Sequence, residues 1–111
     1  MIIKSIENIE ERSVSHNSKI KKHEFLAKGE IDGVMMFSRA VFPPGEIAAA
    51  HSHSNLTEVF YVESGTGEII VDARTVQLKS GVCVAAEPGE THELRNTGSG
   101  DMIVLYFGIK T

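Results

Sequence analysis

The sequence predicts an all-β fold, a sandwich or barrel of short strands. Three observations carry this. Runs rich in Val, Ile, Phe and Tyr recur, each cut by Gly, Pro, Asn, Asp or Ser at intervals of about 8–12 residues. No segment sustains a 3.6-residue apolar period between helix caps, so no helix is expected. The chain of 111 residues has the length of one domain, 1–111, and folding at that size buries about two-thirds of the unfolded chain's surface, enough for one core.

The elements follow in order. Met1-Ile2-Ile3 reads as a short edge strand, and Glu7–Arg12 as a loop or helical turn. His16-Asn17-Ser18 is turn-like, and Lys19–Ala27 is a mixed strand. After the turn Gly29–Gly33, Val34–Phe42 is a strand that stops at Pro43-Pro44-Gly45. Thr57–Glu63 is the next strand. Ser64-Gly65-Thr66-Gly67 reads as a tight hairpin turn, with Ile69–Val71 as the return strand. Val76–Leu78, Val82–Ala85, His92–Asn96 and Met102–Ile109 follow, separated by turns at Asp72–Thr75, Ser80-Gly81, Glu87–Glu90 and Thr97–Asp101. There is no repeat, low-complexity stretch or linker.

Composition narrows the function classes. An apolar fraction of 41% and a charged fraction of 23% are those of a globular protein. The net charge of −4 argues against nucleic acid and against an anionic membrane as partner. The N-terminus lacks a signal-like apolar region, and no apolar run approaches the length of a membrane-spanning helix. The single cysteine, Cys83, cannot form an internal disulfide. Together these absences favour the cytoplasm.

The chemistry gathers in Gly45–Gly65. His51 and His53 alternate with Ser52, so on an extended chain both rings point to one side. Glu58 follows five residues later. Two imidazoles and a carboxylate this close suggest a metal site that needs a third histidine. Glu58 has the opposite parity, so Ser54-Asn55-Leu56 must turn or bulge if all three meet.

Gly45-x5-His51-x-His53-x4-Glu58-x6-Gly65 resembles the first motif of the cupin family. The second family motif is G-x5-P-x-G-x2-H-x3-N, and Gly81, Gly89, His92 and Asn96 fall at its spacings. Three features depart from the pattern. Pro88 stands one position late, with Glu87 in its place. Val82 replaces the acidic residue common after the first glycine. The Asp72–Arg74 turn lacks its usual glycine. The resemblance is to a small cupin of one barrel, with motif one at 45–65 and motif two at 81–96. It implies a jelly-roll barrel, or double-stranded β-helix, with His51, His53, Glu58 and His92 ligating one divalent metal inside.

Imidazoles with one carboxylate suit Fe, Mn, Ni, Co, Cu or Zn. Four protein ligands close a tetrahedral zinc site, whereas an octahedral ion keeps two positions open, so a catalytic role favours Fe, Mn, Ni or Co. Two functions from different classes follow. The first is a metal-dependent dioxygenase, isomerase or decarboxylase acting on a small oxygen-bearing molecule such as a keto acid, diol, sugar acid or phenolic. The second is a non-catalytic module that binds a small molecule or sugar around a structural metal. No separate acid or base can be named from sequence.

Other residues carry blander expectations. His16 and His23 read as surface histidines, and Cys83 as a small buried strand residue. Phe60, Tyr61, Tyr106 and Phe107 read as core aromatics. Phe60 and Val62 share parity with Glu58 and should face the cavity. Arg39 is either a surface residue or an anchor for an anionic substrate. Glu87, Glu90 and Glu93 form a solvated cluster. Met102–Ile109 is apolar on both faces, which suggests a homodimer interface.

Overall fold

A computed structural model describes all residues from Met1 to Thr111. Ten strands follow a 3-10 turn at Ile6–Asn8: β1 (Arg12–Val14), β2 (Asn17–Leu26), β3 (Val34–Phe42), β4 (Ile47–His51), β5 (Leu56–Ser64), β6 (Thr66–Val71), β7 (Arg74–Lys79), β8 (Cys83–Ala86), β9 (His92–Asn96) and β10 (Met102–Lys110). All pairings are antiparallel. One sheet has six strands in the order β1-β2-β3-β10-β5-β8, the other four in the order β4-β9-β6-β7. This is the expected all-β jelly roll.

Alternation places the core. On β5, Leu56, Glu58, Phe60 and Val62 are buried while the residues between them are more exposed. Ser38, Ala40 and Phe42 do the same on β3, and His92, Leu94 and Asn96 on β9. Ile20, Phe42, Val62, Ile69, Leu78, Met102 and Val104 fill the space between the sheets, each large side chain contributing about 1.5–3 kcal/mol by leaving water.

Several expectations are corrected. Met1–Ile3 forms no strand; Met1 and Ile3 are exposed, and no strand edge reaches them. The turn placed at His16–Ser18 occupies Ser15-His16, and β2 already begins at Asn17. Ser64–Gly67 is not a hairpin turn. β5 pairs with β10 and β8, and β6 with β7 and β9, so the chain crosses between sheets here. Cys83 is exposed rather than buried, on the outer face of β8 opposite Tyr61, which is itself 42% exposed. Arg39 also lies on the outer face, where its guanidinium meets Glu63 at 3.2 Å, so it anchors no ligand inside.

Gly65 is required at the crossing. Its φ is +89°, and a Cβ there would collide with the backbone of Asp101 and Met102. Gly65→Ala is expected to destabilise the fold by about 2–3 kcal/mol, read as a lower midpoint in urea denaturation.

The motif departures have local causes. Glu87-Pro88-Gly89-Glu90 is a Pro-Gly turn closed by Glu90 N–H donating to the Glu87 carbonyl at 3.0 Å, with Gly89 at φ +85°. The displaced proline serves that turn. In the Asp72–Arg74 turn, which lacks the usual glycine, Asp72 takes φ +51°, a conformation Asp tolerates. Its carboxylate accepts the Thr91 N–H at 3.0 Å, which ties the β6–β7 turn to the start of β9.

Asn96 holds three segments. Its amide donates to the carbonyls of Phe42 at 2.7 Å and Gly100 at 2.8 Å, and its oxygen accepts the Gly98 N–H at 2.9 Å. Gly45 N–H donates to the Asn96 carbonyl at 3.2 Å, and Gly89 N–H donates to the His53 carbonyl at 2.7 Å. Each motif is thereby fastened to the other.

Candidate metal centre

His51, His53, Glu58 and His92 come together, with one ligand atom from each lying within 4.8 Å of the others. They arrive from both sheets. Glu58 sits on β5, and its inward side chain is beside Gly108 of β10. His92 opens β9, and His51 closes β4 directly opposite it.

Strand alternation alone does not aim His51. The β4–β9 register slips between Ala48, paired with Leu94, and His51, paired with His92. Three steps on β4 match two on β9, so a bulge at Ala49-Ala50 turns His51 onto the inward face. His53 lies beyond the end of β4, in the segment Ser52–Asn55 that joins β5. The rings of His51 and His53 therefore meet, at 5.0 Å between centroids, through a turn and not through alternation. The parity break expected at Ser54–Leu56 falls at Ser52–Asn55, with a second, unexpected break before His51.

Hydrogen bonds orient two of the rings. His92 Nδ1 lies 3.1 Å from the Glu90 carbonyl and His51 Nδ1 3.0 Å from the Ala49 carbonyl. A carbonyl only accepts, so each Nδ1 carries the proton and each Nε2 turns toward the centre, that of His92 within hydrogen-bond distance of Glu58. There, Nε2 of His92, His53 and His51 lie 3.0, 3.5 and 3.9 Å from Glu58 Oε1.

Glu58 is 5% exposed, and no lysine or arginine pairs with it. A buried carboxylate facing nitrogen lone pairs needs a proton or a cation between them. The donor set fits a divalent transition ion, and the group could hold one.

The His92 pKa reflects this competition. Burial pushes it down, but the hydrogen bond to Glu58 and the Glu90 carbonyl outweigh burial, and the net direction is up. A folded-state pKa above the unfolded value stabilises the fold while the pH is below the unfolded value, and that gain is lost as pH rises through the folded one. Metal-free protein is therefore expected to melt higher near pH 6 than near pH 8. Metal-loaded protein should show the reverse, because ion binding must expel the proton. Paired thermal scans at the two pH values check this.

The cluster opens onto a cavity of about 590 Å³. His51, His53 and Glu58 line it together with the apolar Phe60, Leu94, Val104, Ala40 and Phe42. Phe60 faces the cavity as expected, whereas Val62 is packed into the core. His16 is exposed, as expected, but stands at the cavity wall with Lys22, Glu24 and Tyr106. None of these four was marked by a motif, since only the pairing of β2, β3 and β10 brings them to the cavity. His23 is half-buried on β2 beside Arg39. Glu90 serves the Pro-Gly turn, its carboxylate accepting the Glu87 N–H at 2.7 Å, and Glu93 pairs with Arg95 at 2.6 Å.

Comparison with known proteins agrees with this architecture. An oxalate-binding protein of Thermotoga maritima is 31% identical over 70 residues, 63% of this chain and 58% of that protein. An uncharacterized protein of Methanocaldococcus jannaschii is 25% identical over 68 residues, 61% of this chain and 54% of that protein. The match thus spans a little over half the length of these relatives. Among solved structures, a predicted oxalate decarboxylase of T. maritima superposes with a TM-score of 0.90 at 24% identity, covering 98% of this chain and 99% of that one. The cupin domain of Schizosaccharomyces pombe Cnp3 superposes with a TM-score of 0.80 at 17% identity, covering 96% of this chain and 72% of that one. At these identities the structures speak for the fold alone. The family model described as Cupin domain matches residues 38–108, the stretch that carries all four converging side chains, and the chain belongs to the cupin family.

Proposed function

We propose that His51, His53, Glu58 and His92 hold one divalent transition ion, Fe, Mn, Ni or Co before Zn, and present it to a small chelating acid in the cavity. The observation that carries this reading is the buried, cation-free carboxylate of Glu58 with Nε2 of His92 at 3.0 Å at the wall of a roomy cavity. The name of the T. maritima relative supports a carboxylate-rich ligand of the oxalate kind.

The ion supplies Lewis acidity toward the ligand's oxygens. The chain does the rest. The Glu90 and Ala49 carbonyls fix the tautomers of His92 and His51. Phe60 and Leu94 exclude water from one side of the ligand. Tyr106 offers a neutral hydroxyl within the same cavity. On this reading the protein is an enzyme of decarboxylase, isomerase or dioxygenase type. The second reading is a non-catalytic binding protein, which the relative's description as oxalate-binding favours. Metal-loaded protein titrated calorimetrically with oxalate tests the shared part; carbon dioxide release and oxygen uptake separate the two. Binding without turnover selects the second reading, and no binding of any chelating acid sinks both.

The outer face of β10 presents Ile103, Leu105 and Phe107, half-buried between β3 and β5, and this supports a homodimer. Light scattering at micromolar concentration should give twice the 12.1 kDa chain mass; the monomer mass would refute it. The unpaired Cys83 supports a cytoplasmic setting.

A further inference from the structure

The cavity extends beyond the metal cluster. Its volume of about 590 Å³ lies within the range that holds ligands much larger than a two-carbon acid. Antiparallel register lays a polar row along one wall. Glu24 pairs with Ser38 across β2 and β3, Ser38 with Tyr106 across β3 and β10, and Tyr106 with Phe60 across β10 and β5. Directly paired residues stand side by side on one face of a sheet. Ser38 and Phe60 are buried on the inward face, and Glu24 and Tyr106 line the cavity. The next inward row is Met36, Gly108 and Glu58, so the polar row adjoins the metal cluster.

The polar groups of this row are unspent. Ser38 is 1% exposed and its Oγ has no hydrogen-bond partner. Glu24 and Lys22 both line the cavity, yet neither enters an ion pair. The Tyr106 hydroxyl lies near Ser38 without a hydrogen bond of regular geometry. Burial, foremost, and the charges of Glu58 and Glu24 push its pKa up to about 12, with the Ser38 hydroxyl acting in the opposite sense. Tyr106 is therefore a neutral donor at any ordinary pH. The Tyr106 hydroxyl, in the cavity wall, is open to a bound polar group, and one hydrogen bond there is worth about 0.5–1.5 kcal/mol.

We propose that Tyr106, beside Ser38 and flanked by Glu24, is a second subsite that reads a hydroxyl group, so that the ligand is a chelating acid carrying a hydroxyl several bonds from its metal-binding oxygens. The proposal rests on the metal reading above. A ligand hydroxyl can accept from the Tyr106 O–H and donate to the Glu24 carboxylate. A second ligand carboxylate would meet Glu24 with like charge, although Lys22, two residues along β2, would attract it. The hydroxyl and the carboxylate therefore make opposite predictions.

The test uses metal-loaded protein and calorimetric titration with α-ketovalerate, its γ-hydroxy and δ-hydroxy derivatives, and α-ketoglutarate. One hydroxy derivative should bind about tenfold tighter than α-ketovalerate, and this ratio should fall to near one in Tyr106→Phe with the metal content retained. Equal affinity for all the monoacids, tightest binding of the diacid, or a ratio that survives in Tyr106→Phe overturns the proposal. Glu24→Ala changes a half-buried side chain that enters no ion pair, so it should fold as the parent does, and it should lower the same ratio; an unchanged ratio again counts against the subsite. Failure of the metal reading is seen separately, as absent metal or no binding of α-ketovalerate, and it takes the subsite with it.

Discussion

Stripping the metal with a chelator is expected to lower the midpoint of thermal unfolding by about 15 °C. An ion present at 100 to 1,000 times its dissociation constant and bound only by the folded chain adds about 2.7–4.1 kcal/mol. In a domain of this size each kcal/mol moves the midpoint by about 4–8 °C. The four side chains sit on β4, β5, β9 and the Ser52–Asn55 segment, so a bound ion would clamp the two sheets together. Glu58→Gln removes the only anionic donor of the group. Its metal affinity should fall by more than about 100-fold, beyond what loss of a supporting hydrogen bond costs. Its melting should then be indifferent to the chelator. Differential scanning calorimetry of both proteins, with and without chelator, gives the comparison; equal shifts in the two would place the ion elsewhere.

Asn96→Ala is expected to cost about 4 kcal/mol, a large part of the stability of a small domain. The side chain satisfies the Phe42 and Gly100 carbonyls and the Gly98 N–H at 2.7–2.9 Å, and Asn96 is 3% exposed. Alanine leaves these groups unpaired and opens a void that water cannot easily serve. The same segments lead into motif one through the bond from Gly45 N–H to the Asn96 carbonyl. Metal affinity should therefore weaken as well, although Asn96 touches no ligand. Urea denaturation and metal titration of the variant read both effects. A loss under about 1 kcal/mol would mean that water replaces the amide.

The parts of this fold that were legible in the sequence are those fixed by neighbouring residues. The strands Val34–Phe42 and His92–Asn96 have the predicted bounds, because Pro-Pro-Gly and Pro-Gly turns end or precede them. The four converging side chains were legible for the same reason: the spacing of motif one and the histidine after Gly89 are local patterns. Sheet membership is not local. Nothing between Ser64 and Gly67 distinguishes a hairpin from a crossing, which depends on Asp101 and Met102 packing against Gly65. Cys83 and Tyr61 were misplaced because a strand apolar on both faces does not say which face is inward. The bulge that turns His51 inward lies in Ala48-Ala49-Ala50, where identical side chains carry no parity. The row Glu24, Ser38 and Tyr106 exists only through the register of the consecutive strands β2 and β3 with β10, at the other end of the chain.

The measurement closest to the central claim is the visible spectrum of the cobalt(II)-loaded protein during titration with oxalate. Four protein donors that leave coordination positions open predict one cobalt per chain, the weak absorption of a five- or six-coordinate ion, and a spectral change that saturates with oxalate. Glu58→Gln should show neither uptake nor change. Intense tetrahedral absorption that oxalate leaves untouched would contradict the account by showing a closed, structural site, and failure of the parent protein to take up cobalt would contradict it outright.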